Sequence, residues 1–387
     1  MTYNKSANLF IYYCTLFLPL SFLIGSFFVN ITGVIISLFT LFWVLKFKEL
    51  NFFYKSQYKF FFLLFILFLV STIISDYKLS SLENSISYLS NILLFIGLSV
   101  LILDESKKKI KLSKIVFFIV ILLCLDSYFQ RIFGVNFLGY QTQQAGRLTS
   151  FFKDEQIPGA IIFKLSPFVI YFIFNQKNKI LEKYKYMILI FVYFAILISG
   201  ERSTSILSTL AILFILILNF RDLNKKIFLI YAAIFFTIFI VLFTMKNSVI
   251  KERFYYTFEQ SKNNVYLNYY SNSVEIFKKN IFVGTGPQSY RYECHKISNS
   301  CSNHPHNFVF ELLSDTGLFS PIIFFISLLS IIFYKIKSLK NKFFKSIIIT
   351  YTILFFFPLI PTGSFFTSFH MTLSWFSLGF LYSIRNV

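Results

Sequence analysis

The chain has 387 residues, 56% of them hydrophobic and only 14% charged, with 56 Phe and 24 Tyr. A water-soluble domain could not hide that much apolar surface, so the solvent of this chain is a bilayer. The net charge of +20 would suggest nucleic acid if the basic side chains formed one patch, but they fall in separate clusters and leave no contiguous footprint for a polyanion.

Taken in chain order, the hydropathy gives twelve expected spans, centred near residues 17, 37, 67, 95, 123, 168, 192, 211, 236, 327, 352 and 373. Runs such as 59–75 and 226–245 approach the roughly 20 apolar residues needed to cross a hydrocarbon core of about 30 Å. Several others are shorter and must tilt or thin the bilayer. The apolar runs lack the alternation of a barrel strand, so the expected fold is an all-α polytopic membrane protein. The first run follows a single lysine with no small-residue cleavage pattern behind it, and reads as a retained span.

Lysines cluster at 46–59, 107–114, 177–185, 221–226 and 335–345, and with the N-terminus inside, 23 of the 37 Lys and Arg fall on the cytoplasmic side. That asymmetry predicts both termini in the cytoplasm. It also predicts one long outward loop, 246–306, between the ninth and tenth spans, and a shorter outward segment at 132–158. No linker rich in Gly, Ser or Pro divides the chain, so residues 1–387 read as one membrane domain.

Within the long loop, Tyr266, Tyr269, Tyr270, Ser273, Val274 and Phe277 share one helical face, as an amphipathic helix would place them. Most of these aromatics read equally well as plain packing surface. Cys294 and Cys301 share the same loop, where an oxidising compartment permits a disulfide, two free thiols being the alternative.

Three of the four histidines, His295, His304 and His306, also lie there, and His370 sits on an apolar span as a structural residue. His304 and His306 flank a proline as a metal pair might, but no third ligand stands at suitable spacing unless Glu311 or Asp315 turns inward. No metal or cofactor is therefore expected. A single histidine acting as proton acceptor fits better, because an ordinary imidazole titrates near neutrality. Among the arginines, Arg147 and Arg202 stand in outward turns, where they either cap the turn or converge on an anion. Guanidinium suits a diphosphate because it stays charged and offers paired donors. Arg291, after the glycine pair of 284–286, is a further candidate.

Four segments in order, GRLTSFFKDE (146–155), SGERST (from Ser199), VGTGPQSY (283–290) and HPHNFVFELLSDTG (304–317), resemble the O-antigen ligase and polymerase superfamily of bacterial inner membranes. The resemblance covers about 140–330 by motif and the rest by topology. It implies that His306, followed by Asn307 and Gly317, activates an acceptor hydroxyl, and that Arg147 and Arg202 hold an undecaprenyl diphosphate. Arg253 and Arg291 are the candidates for a further arginine of the long loop, and Ser320 departs from the ligase pattern.

The expected function is metal-independent, inverting glycosyl transfer from an undecaprenyl-diphosphate-linked oligosaccharide to a glycan acceptor. A repeat-unit polymerase, with a chain-length regulator as a candidate partner, is preferred over a ligase acting on lipid A core. A flippase or other transporter is the third reading, set against the scarcity of charges such as Lys164 inside spans.

Overall fold

The computed structural model describes residues 5–46, 57–142, 146–176, 178–219, 236 and 265–385. Arg253 and the neighbourhood of the span expected near 236 fall outside these, apart from Phe236 itself. The described residues form helices and no strand; a lone antiparallel bridge joins Val135 to Gln141. The centres of the other eleven expected spans all fall within helices. Among the described residues, six helices are both long and apolar enough to cross a membrane: Ser26–Lys46, Lys78–Ile102, Ser106–Phe133, Pro158–Asn175, Arg202–Asn219 and Phe319–Ser338. The chain is a multi-pass helical membrane protein, and hydropathy and length support these six crossings.

The chain divides into two compact units. The first comprises 1–104, 264–341 and 352–387. It opens with α1 (Lys5–Ile24), α2 (Ser26–Lys46), α3 (Lys59–Ile74) and α4 (Lys78–Ile96), the last running on into a π-helical turn, Gly97–Ile102. The second comprises 105–263 and 342–351, with α5 (Ser106–Phe133), α6 (Pro158–Asn175), α7 (Lys179–Ile198) and α8 (Arg202–Asn219). The first unit then resumes with α9 (Val265–Lys279), α10 (Tyr290–Ile297), α11 (Phe308–Thr316) and α12 (Phe319–Ser338). α13 (Lys342–Phe355) supplies residues to both units, and α14 (Ser368–Ser383) belongs to the first.

Hydroxyls inside the helices spend their hydrogen bonds on their own backbone, as apolar surroundings require. Ser37 donates to Gly33 at 2.8 Å, Thr40 to Ile36 at 2.9 Å and Thr72 to Phe68 at 2.8 Å. The core of the first unit is aromatic: Phe61 and Phe95 both pack on the fully buried Trp375, with ring centres 5.3 and 5.6 Å away. Lys335, buried in the last turns of α12, donates to the carbonyls of Tyr382 and Ile384 at 2.7 and 2.5 Å. It thereby satisfies carbonyls that the end of α14 leaves without helical donors.

In the second unit, the last turns of α5 organise the segment that follows. Asp126, wholly buried, accepts from the Ser150 hydroxyl at 2.6 Å and from the Phe137 amide at 2.7 Å. Gln130 accepts from the amides of Thr149 and Ser150 at 3.1 and 2.8 Å. Arg131 reaches the carbonyls of Gly146 and Ile198. A polar loop is thus fixed by three side chains from the last turns of one helix. Replacing Asp126 with Ala leaves two buried donors unmatched, and should destabilise the protein by about 3 kcal/mol, measured as a lower thermal midpoint of the detergent-solubilised chain.

Candidate functional site

The candidate residues fall into two groups, one in each unit. In the second unit, the segment carrying Arg147 docks on the turn between α7 and α8. The Leu148 amide donates to the Ser199 carbonyl at 2.9 Å. Gly200, at φ +78°, lies so close to the Gly146 carbonyl that a β-carbon there would stand 1.9 Å from its oxygen. Only glycine fits that turn, on both conformational and steric grounds.

Glu201 is the hub of this group. Buried at 9% exposure, it accepts from the amides of Gly159 at 2.7 Å and Ala160 at 3.2 Å, the first turn of α6, and from the Thr204 hydroxyl at 3.2 Å. A carboxylate there satisfies orphan amides and complements the helix dipole. Burial pushes its pKa up to about 7, against the pull of the neighbouring Arg147 charge and these donors. Arg147 itself donates to the Gln156 carbonyl at 2.9 Å. The two sequence segments singled out around Arg147 and Arg202 are therefore in contact, but Arg147 is already engaged with Gln156 and Glu201. The role of Glu201 as a hub, with its donors on α6, is not legible from its neighbours in sequence. Its signal was a carboxylate in an otherwise apolar stretch, beside a helix-start proline far away in the chain.

In the first unit, α9 is the helix expected from the tyrosine stripe, and it packs on α11. Tyr270 stacks on Phe310 with ring centres 4.6 Å apart and planes 7° apart, and the Ser273 hydroxyl donates to the Phe310 carbonyl at 2.5 Å. Those residues are packing surface. Tyr266 and Tyr269 instead face the His306 ring, at 5.4 and 5.6 Å between centres.

α10 is joined to the histidine turn by a disulfide between Cys294 and Cys301, whose α-carbons are 5.9 Å apart. Asn307 caps α11, accepting from the Val309 amide at 2.9 Å and donating to the Pro358 carbonyl at 2.7 Å. The Thr362 amide donates to the His306 carbonyl at 2.7 Å, and the Thr362 hydroxyl accepts from the Phe308 amide at 3.0 Å. So latched, His306 adopts φ +56°, a left-handed conformation that costs a non-glycine residue of order 1 kcal/mol or more. Its Nε2 lies 3.1 Å from the Ser302 hydroxyl. Burial lowers its pKa below the ordinary 6.5, leaving a free imidazole at neutral pH.

Glu311 and Asp315, the two acidic residues nearest the histidines in sequence, are buried at 1% and 0% exposure and committed elsewhere. Glu311 accepts from the Ser364 hydroxyl at 2.5 Å and the Phe365 amide at 2.6 Å. Asp315 accepts from the Tyr290 amide at 2.9 Å. Burial raises both pKa values, that of Glu311 to about 7 even with the Arg291 charge nearby. The Asp315 carbonyl also accepts from the Gly286 amide at 2.7 Å. The glycine-bearing turn before Arg291 is therefore a mount on the end of α11. Arg291, half-buried, has its charge among those acting on both Glu311 and His304. Gly317, at φ +80°, would set a β-carbon 2.3 Å from the Phe282 carbonyl oxygen.

Residues 186–325 match the family model of the O-antigen ligases. The match supports the O-antigen ligase and polymerase superfamily that the four motifs resemble. It takes in Glu201, Arg202, Arg291, His304, His306 and Gly317, while Arg147 precedes it. No curated protein matches the chain. Within the family's stretch, Gly317 has a purely conformational role, so Gly317→Ala should cost about 2 kcal/mol or more, read as a lower thermal midpoint in detergent.

Titration gives a second expectation. Glu201 and Glu311 have folded pKa values near 7 against an ordinary 4.5, so the folded state holds protons more tightly than the unfolded. Their contribution to stability is complete below about pH 4.5 and is lost as the pH rises through about 7. The thermal midpoint should fall across that window, and Glu311→Gln should flatten part of the fall; a pH series of melts checks both.

Proposed function

We propose that this protein polymerises a surface glycan, transferring oligosaccharide from undecaprenyl diphosphate to a hydroxyl of an acceptor glycan. The observation that carries the reading is His306. It is a half-buried, neutral imidazole held in a left-handed turn against two neighbouring tyrosine rings, at the start of a helix in the stretch matched by the family. Strain maintained at a titratable residue by hydrogen bonds from distant segments supports reading it as a site.

In the proposed reaction His306 takes the proton of the acceptor hydroxyl as its oxygen attacks the anomeric carbon. The new glycosidic bond forms as the bond from that carbon to the diphosphate oxygen breaks, and undecaprenyl diphosphate departs with the electron pair. Attack from the opposite face inverts the anomeric configuration. Negative charge grows on the leaving diphosphate, and Arg291 is the long-loop arginine we assign to it, because its charge acts within the histidine group. For Arg147 and Arg202 a diphosphate-binding role rests on the resemblance alone. The membrane would be the bacterial inner membrane, with both termini cytoplasmic and the histidine turn on the periplasmic side, where a lipid-linked donor supplies the activation that nucleotides cannot.

The family's description as O-antigen ligase favours a second reading, transfer of the finished glycan to lipid A core. Deleting the gene separates the two: a surface lipopolysaccharide ladder reduced to one repeat means polymerase, and loss of all O-antigen means ligase. His306→Ala should give the deletion phenotype, a loss of transfer of about a hundredfold or more, at normal membrane abundance. A fully active His306→Ala protein would remove His306 from the mechanism.

A further inference from the structure

His304 is the second histidine of the turn, and the proton transfer just described has no use for it. Its ring centre lies 4.1 Å from that of His306, the planes inclined by 48°. It is bonded to the backbone of Thr362, the residue whose amide also holds the His306 carbonyl. That bond falls to Nδ1, since Nε2 is buried without a hydrogen-bond partner among the described residues. Donation from Nδ1 to a carbonyl fixes the neutral tautomer with its lone pair on Nε2.

The charges around the pair keep it that way. Arg291 on α10 and the neighbouring His306 both oppose a proton on His304, and with burial they bring its pKa down to about 4. Tyr266 and Tyr269 on α9 face His306, and Glu311 on α11 faces Arg291. Two imidazoles this close cannot readily both be charged. The pair therefore carries at most one positive charge, and the more exposed ring is the one to take the added proton.

We propose that His304 is the positioning residue for His306: an imidazole pinned to Thr362, whose ring packs against that of His306, holds its orientation and covers it from water. The proposal deepens the reading of His306 as proton acceptor and rests on it. During transfer the imidazolium formed at His306 would lie against a neutral ring instead of a competing cation, so the acquired proton stays on one defined group.

The test follows His306 by a readout that needs no turnover. Full-length protein in native membranes is treated with diethylpyrocarbonate across pH, and modification at His306 is mapped by mass spectrometry in wild type, His304→Gln and His304→Ala. Gln retains a donor for Thr362 but not the ring; Ala removes both. His295→Gln, on an exposed residue of α10, is the control, and formation of the Cys294–Cys301 disulfide is checked in each variant. Transfer is assayed in the same membranes with the lipid-linked glycan extracted from the deletion strain.

Losing the covering ring should raise the His306 modification midpoint by about half a pH unit or more in both His304 variants. It should slow transfer about tenfold, with KM for the extracted glycan held within roughly twofold. The control should change neither. A midpoint that stays in place in both His304 variants overturns the proposal, whatever the rates do. A moved midpoint with transfer at the wild-type rate leaves His304 as the positioning residue, but removes His306 from the chemistry and so overturns the reading beneath it.

Discussion

A carboxylate taken out of water has to be given donors, and the segments that supply them can no longer move independently. Glu201 draws on the first turn of α6 and on Thr204, beside the charge of Arg147. Glu311 draws on Ser364 and Phe365 beside the charge of Arg291. Each of these two buried glutamates thus holds segments distant in the chain. Both sit at the edge of helices that water reaches poorly, so an unmatched donor or acceptor there costs more than it would at a soluble surface. The arginines beside them are consequently part of the architecture before they are available to any ligand.

The histidine turn shows the same logic with different chemistry. Three constraints meet on it: the disulfide to α10, the Asn307 cap on α11, and the hydrogen bonds to Pro358 and Thr362. None contributes to proton transfer. Together they sustain a backbone conformation that His306 would not adopt alone, and so decide which way its ring faces.

Much of this was legible in the sequence, because it is local. Apolar runs located the helices, period and spacing located α9, and the scarcity of histidine drew notice to the turn at 304–306. What was hidden depends on partners far along the chain. Nothing near Glu201 announces that Gly159 and Ala160 will be its donors, and the segment around Thr362 carries no motif at all. Gly284 and Gly317 lie close against the backbone of distant segments, and Gly286 against the side chains of Ser75 and Ser81, contacts that no local motif announces. Several of the other described helices are too short or too polar to meet the length and hydropathy of a crossing on their own.

The latch around Thr362 has a bearing on how the protein is made. The donors and acceptors that complete the histidine turn and its helix lie 51 to 56 residues further along the chain than the groups they hold. At a synthesis rate of about 5–20 residues per second, they leave the ribosome about 3–11 s later. Through that interval His306 is already made but lacks the bonds that set its conformation. The turn acquires its final shape only once the stretch leading into α14 has been delivered.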